Sequence, residues 1–234
     1  MVREYGRKGI LTAIWGYLGG YLGFQIIIVL AFSLYANATG LVITDAIFRE
    51  LSLASTFLSS ALTVAIFSWF FRSILHYDFL RLIQSTTSIR YIFGGFAGLY
   101  LVNLIFSLGY MWIGIEGQSL NQEVVSDLIQ SQPILMAIPV VLFVPFIEEI
   151  LFRGALFELL MSKVHVVGSV IITNVLFAVL HVADIESLIF LPIYFFLGVV
   201  LSMIYIYSGK NIWVSIAAHG LHNLLSVVAI LFIA

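Results

Sequence analysis

Two adjacent glutamates sit in a stretch where even one would be costly. From Pro133 to Met161 the chain reads PILMAIPVVLFVPFIEEILFRGALFELLM, apolar for long enough to cross a bilayer, yet it carries Glu148, Glu149 and Arg153. An ionisable side chain in a transmembrane helix faces a wet cavity or a partner and marks a functional site by default. Two more polar anomalies follow in later apolar runs: His181, and then His219 with Asn223. Three anomalies on three segments point to one intramembrane site.

Their spacing sorts the tasks. Successive helical residues project about 100° apart, so Glu148 and Glu149 cannot do the same job. Glu149 and Arg153 stand at i and i+4 and can meet on one face as an ion pair. Glu148 then faces another direction, a buried carboxylate suited to general-acid or general-base work. His219 and Asn223 are again i and i+4 and share a face; His222 is offset from them. Together these are the parts of a hydrolytic site. Glu148 and His181 could deprotonate a water between them, and His219 and Asn223 could donate to the oxyanion at a scissile carbonyl.

Each residue also has a plainer reading. Glu149 and Arg153 could be a packing clamp. His181, followed by Asp184 and Glu186, could be an interfacial histidine. His219 and Asn223 could be a polar stripe that bonds across the bundle. Two imidazoles and a carboxylate are also a zinc set, which in catalytic sites takes three protein ligands and a water. The sequence lacks the compact H-E-x-x-H motif, so such a site would need ligands from three helices. Zinc is compatible with the sequence but not required by it, and no metal ligand is assigned. No serine lies in a G-x-S-x-G elbow, and His76 and His165 sit beside basic residues in expected loops.

The elements that must position these residues are helices in a membrane. Of 234 residues, 62% are hydrophobic and only 9% charged, and the mean hydropathy is +1.13. A soluble domain is roughly 25% charged. The expected architecture is all-α, a polytopic transmembrane helix bundle of about seven spans, with residues 1–234 as a single integral membrane domain. A net charge of −2 argues against a nucleic-acid partner, which needs a basic patch. The absence of cysteine excludes disulfides, thiolate metal sites and cysteine nucleophiles.

A span needs about 20 mostly apolar residues. Seven are expected: Gly9–Tyr35, Leu51–Phe71, Tyr91–Ile113, Pro133–Met161, Val166–His181, Leu188–Tyr207 and Ile212–Ala234. The fifth is short for a full crossing. The first is too long for a signal-peptide core of ~7–15 residues and is read as retained, although Ala36-Asn37-Ala38 resembles a processing site. Leu41–Glu50 reads as a short interfacial helix, and Gly114–Gln132 as a polar, acidic loop. Gly16/Gly20, Gly19/Gly23 and Gly94/Gly98 have the small-xxx-small spacing of close helix contacts.

With the N-terminus inside, inner segments hold Arg3, Arg7, Lys8, Arg72, Arg81, Arg90, Lys163 and Lys210, and outer loops only Arg49. This is the positive-inside bias. Glu148 lies ~22 Å along a helix from Pro133 at 1.5 Å per residue, in the inner half of the core. The expected cavity therefore opens to the cytoplasm. His181, at the far end of its span, fits that depth less well.

Glu148-Glu149-Ile-Leu-Phe-Arg153 resembles the EExxxR motif of the CAAX prenyl endopeptidase and bacteriocin-processing (CPBP, or Abi) family of intramembrane proteases. Phe177-Ala-Val-Leu-His181 resembles its FxxxH motif, and His219-Gly-Leu-His-Asn223 its HxxxN motif. The resemblance covers residues 141–225, and the first three spans carry no matching motif. It implies a glutamate-dependent endopeptidase that cleaves a membrane-associated peptide or lipid-modified protein. Glu148 would be the general base, His181 would activate the water, His219 and Asn223 would form the oxyanion hole, and Glu149 and Arg153 would support them. Eukaryotic relatives trim prenylated proteins. Bacterial relatives are associated with peptide processing, bacteriocin immunity and sensor kinases, so the alternative is a non-enzymatic partner of a sensor kinase or an immunity protein. The compact chain resembles the bacterial branch, which implies a multi-pass protein among the lipids of a bacterial cell membrane with its N-terminus cytoplasmic.

Overall fold

The computed structural model describes residues 6–182 and 184–232, with side chains from Lys8 onward. Arg3, the side chain of Arg7 and the last two residues of the seventh expected span lie outside the described residues. Among them the chain forms nine helices and no strand. They are α1 (Lys8–Thr39), α2 (Asp45–Phe70), α3 (Arg72–Gln84), α4 (Thr86–Trp112), α5 (Leu120–Ser131), α6 (Pro133–Met161), α7 (Val166–His181), α8 (Glu186–Tyr207, its first turn 3₁₀) and α9 (Ile212–Phe232). Six are long and apolar enough to cross a membrane, and α7, with 16 residues, is shorter. Their outward faces carry large apolar side chains such as Trp69, Ile105, Trp112 and Phe232, as lipid contact requires. The chain is an integral membrane protein of all-α architecture.

Three stretches differ from expectation. The interfacial helix over Leu41–Glu50 is absent; Thr44 instead caps α2 through the Ile47 amide, and α2 runs unbroken from Asp45. The inner segment after Phe70 contains α3, whose Asp78 and Leu75 are buried while Tyr77 and Phe79 are exposed. The acidic loop Gly114–Gln132 contains α5, started by Ser119 accepting from the Gln122 amide. Both helices are amphipathic, and a hydropathy reading tuned to spans passes over them.

Half of the most apolar window of α6 is buried, the largest share among the six spans. Around α6 pack Tyr17 of α1, Phe67 of α2, and Ile212 and Ile216 of α9. Its hydrogen-bond ladder widens to i→i+5 turns at Pro139–Phe143 and Ile150–Phe157. The Val144 amide bonds to Pro139, and Pro145 has no amide to give. Val140 and Val141 therefore lose their usual i+4 donors. α9 closes on this gap. Asn223 Nδ2 donates to the Val140 carbonyl at 2.9 Å, and a Cβ on Gly220 would stand 2.8 Å from the Val141 oxygen.

The expected glycine contacts are met in part. Gly16 and Gly20 face Phe67 and Thr63 of α2. Gly19 and Gly94 touch nothing, and Gly23 faces only the Leu18 carbonyl of its own widened helix. On α4 the close positions are Gly95, against Ile204 and Ala218, and Gly98, against Val200.

Candidate active site

Arg153 anchors the site. It is fully buried, and its guanidinium reaches three helices. Nη1 donates to Glu149 Oε1 at 3.1 Å, and Nη2 donates to Asn174 Oδ1 at 3.2 Å and to the Gly198 carbonyl at 2.8 Å. Its carbon lies 5.0 Å from the centre of the Phe177 ring, within cation–π range. Gly198 lets α7 and α8 close around this fork, because a Cβ there would come 2.5 Å from Asn174 Oδ1. Asn174 Nδ2 in turn donates to the Val170 carbonyl and to Ser202 Oγ.

Glu149 Oε1 is shared. It also accepts from His219 Nδ1 at 3.0 Å, so one buried carboxylate oxygen joins α6 to α9. Glu148 turns the other way, as the 100° offset requires. Its Oε1 lies 3.8 Å from His181 Nε2, and its Oε2 lies 4.0 Å from His219 Nε2. The Oε2 atom is buried and has no hydrogen-bond partner among the described residues.

The other ring nitrogens fix both tautomers. His181 Nδ1 is 2.8 Å from the Phe177 carbonyl, and a carbonyl only accepts, so Nδ1 carries the proton. His219 Nδ1 donates to a carboxylate. In the neutral rings both Nε2 atoms therefore present bare lone pairs towards Glu148. A neutral His219 offers an oxyanion no donor; for that role it must carry two protons, with Glu149 as its counter-charge.

The structure thus brings Glu148, Glu149, Arg153, His181 and His219 together. Asn223 lies one turn beyond His219, with one amide hydrogen committed to Val140. Two lone pairs and a carboxylate are the donor types that zinc takes. Among the described residues, however, no group of three His, Cys, Asp or Glu side chains converges closely enough to hold a metal. As spaced, these donors do not form a zinc site.

α7 ends at His181 level with Glu148, midway along α6. The His181 ring stacks on Tyr194 of α8 at 4.9 Å, and the Tyr194 hydroxyl is 2.6 Å from Ser119 Oγ. Ser119 belongs to the segment before α5, expected outside. Two contacts link His181 to that end of the bundle, not to the basic end. A short α7 that stops abreast of Glu148 is the physical reason.

Three residues of this region escaped sequence reasoning. Asn174, a carboxamide in the middle of an apolar run, was legible as a polar anomaly. Tyr17 and Tyr21 lie within Coulombic reach of Glu148, with rings 5.4 Å apart. They sit on the widened turn Gly16–Gly23 of α1, and no sequence spacing tied that helix to the motifs.

Comparison with known proteins follows the same residues. Residues 130–225 match the family described as type II CAAX prenyl endopeptidase Rce1-like. Over 132 residues the chain is 31% identical to YdiL of Bacillus subtilis (strain 168), named as a candidate membrane peptidase. That match covers 56% of this chain and 52% of the relative, so the chain spans about half the length of the curated relative it matches. No solved structure matches. The segment that holds the paired glutamates, the FxxxH histidine and the α9 histidine is thus the part of the chain that is similar to the type II CAAX prenyl endopeptidase Rce1-like family.

Proposed function

We propose that this chain is an intramembrane endopeptidase for a membrane-associated peptide or a lipid-modified protein. The observation that carries this reading is the convergence of His181 Nε2 and His219 Nε2 on Glu148 at 3.8 and 4.0 Å. These gaps are too long for direct hydrogen bonds and are of the order that a bridging water spans.

In this reading Glu148 takes a proton from that water while its oxygen attacks the scissile carbonyl. His181 Nε2, held by its Phe177 bond, accepts the water's second hydrogen and aims the oxygen. Doubly protonated His219, counter-charged by Glu149, and the remaining amide hydrogen of Asn223 donate to the oxyanion. Protonated Glu148 then passes its proton to the leaving nitrogen as the carbon–nitrogen bond breaks. Arg153 holds Glu149, and hence His219, in place.

The test is Glu148→Gln, an isosteric change that removes the base, with His219→Ala beside it. Both are expressed at wild-type membrane abundance and followed by mass spectrometry of membrane peptides and proteins. A defined fragment should fall by about 10²–10⁴-fold in Glu148→Gln, the usual worth of a general base, and should vanish in His219→Ala. If every fragment persists in both variants, the residues are structural. The protein would then act by binding a partner such as a sensor kinase.

A further inference from the structure

His181 is the last residue of α7, where a helix frays, and its side chain is 18% exposed. Its bond from Nδ1 to the Phe177 carbonyl fixes one ring nitrogen but leaves the ring plane free to turn about that bond. In the proposed reaction the other nitrogen must point at a water shared with Glu148, whose Oε1 is 3.8 Å away. A hydrogen bond weakens steeply below about 120°, so a turned ring loses that water. Two aromatic rings restrain the plane. Phe177 lies 4.2 Å from the imidazole centre, tilted by 37°, but it stands one turn back on α7 and moves with it. Tyr194, stacked at 4.9 Å and 29°, comes from α8 and ties the ring to a second helix.

Tyr194 is itself held from the segment before α5. Its hydroxyl is 2.6 Å from the Oγ of buried Ser119. The next amide, that of Leu120, donates to Ser187 Oγ at 2.9 Å, and the Ser187 amide donates to Asp184 Oδ1 at 2.9 Å. Ser187 lies two turns before Tyr194 on α8. The chain reaches this position through Gly114 and Gly117, whose φ of +74° and +87° suit glycine. The segment is therefore pinned to α8 at two points, and one of them is the tyrosine that stacks on His181. Its hydroxyl is not needed to hold that end of α8, because Tyr110 already donates to the Ile189 carbonyl there at 2.9 Å.

We propose that Tyr194 is a positioning residue of the peptidase centre. Stacked on His181 and braced by Ser119, it sets the plane in which His181 Nε2 aims at the water. The inference rests on the peptidase reading above, and Tyr194 acts through His181 without touching a reacting atom. The Gly114–Ser119 segment thereby reaches the reaction through one aromatic ring.

The test pairs the membrane-fragment assay, with Glu148→Gln as its blank, with NMR of the full chain in lipid nanodiscs carrying ring-labelled histidine. Tyr194→Leu removes the stack. Tyr194→Phe keeps it and removes the bond to Ser119, and this near-isosteric change should fold even where the leucine variant does not accumulate. The chain has five histidines, and the His181 signal is identified by its loss in His181→Ala. In Tyr194→Leu that signal alone should move, as the ring-current shift of the stack is lost, while those of His219 and His222 stay in place; Tyr194→Phe should move it part of the way. Fragment production per molecule should fall by about 10²-fold in Tyr194→Leu, the cost of misplacing a reacting group by ~1 Å, and by less in Tyr194→Phe. An unmoved His181 signal, a shift shared by all the histidines, or unchanged cleavage in both variants would overturn the proposal. If no fragment depends on Glu148, the peptidase reading fails by itself, and the His181 signal still decides whether Tyr194 orders the ring.

Discussion

Replacing Arg153 with Met isolates what the buried cation does. Glu149 is fully buried and shares one oxygen between Arg153 and His219. Without the guanidinium it keeps only His219 as a partner in a low-dielectric interior, and breaking a buried ion pair in this way costs about 3–5 kcal/mol. The lost bonds to the Gly198 carbonyl, which keeps its helical donor, and to Asn174 Oδ1, which can still accept from Ser202 Oγ, add about 1 kcal/mol each. Against a total stability of about 5–15 kcal/mol, Arg153→Met should leave little folded protein in the membrane. A second change separates charge from packing. Glu149→Gln/Arg153→Met removes both charges, while the Gln oxygen can still accept from His219 Nδ1. The double variant should recover most of the first term and remain short by the bonds to Asn174 and Gly198. The assay is membrane abundance and melting of a fluorescent-protein fusion, with fragment production measured on equal amounts. The double variant should melt well above Arg153→Met yet cleave poorly, because His219 has lost its counter-charge. If it is no more stable than Arg153→Met, the cation is held by its hydrogen bonds and packing, and the charge argument is wrong.

Four further outcomes follow from the geometry. If Glu148 and His181 act on one water, Glu148→Gln/His181→Ala should cleave no more slowly than Glu148→Gln alone; additive losses in fragment production would show that they act apart. Gly220→Ala, whose Cβ meets the Val141 oxygen at 2.8 Å, should destabilise by about 1–3 kcal/mol and reduce cleavage, whereas Gly94→Ala, which meets nothing, should melt like wild type. Tyr17→Phe, which removes a hydroxyl within Coulombic reach of Glu148, should change the cleavage rate without changing abundance; an unchanged rate would remove Tyr17 from the site. Cleavage should survive prolonged chelation, because the three donors do not stand at metal-ligand spacing; loss with EDTA and recovery on adding zinc would refute that.

What the sequence disclosed depended on contrast. Charged side chains in apolar runs stand out, so Glu148, Glu149, Arg153, His181 and His219 were all legible, as were Pro133–Met161 and Val166–His181 to the residue. Helical spacing alone separated the two glutamates, and the Glu149–Arg153 bond bears that out. Partners drawn from distant helices were not legible. Nothing near Gly198 announces that its carbonyl receives Arg153, and the Val140 carbonyl attracts Asn223 only because Pro145 and a widened turn disturb its ladder. α3 and α5 hid for a different reason, since amphipathic helices at the membrane surface have neither the length nor the uniform apolarity of a span.

The shortness of α7 reaches beyond the protein. Sixteen residues at 1.5 Å each span about 24 Å, less than the ~30 Å of an ordinary hydrocarbon core. Lipids on that flank must shorten or splay to meet it, at a cost of a fraction of a kcal/mol per ångström. A bilayer that meets this flank would thin beside the helix that ends at His181, and in the proposed reaction that shortens a peptide's descent from the headgroups to Glu148. In the proposed reaction acyl-chain length becomes a variable, and the surrounding membrane a part of the site's shape.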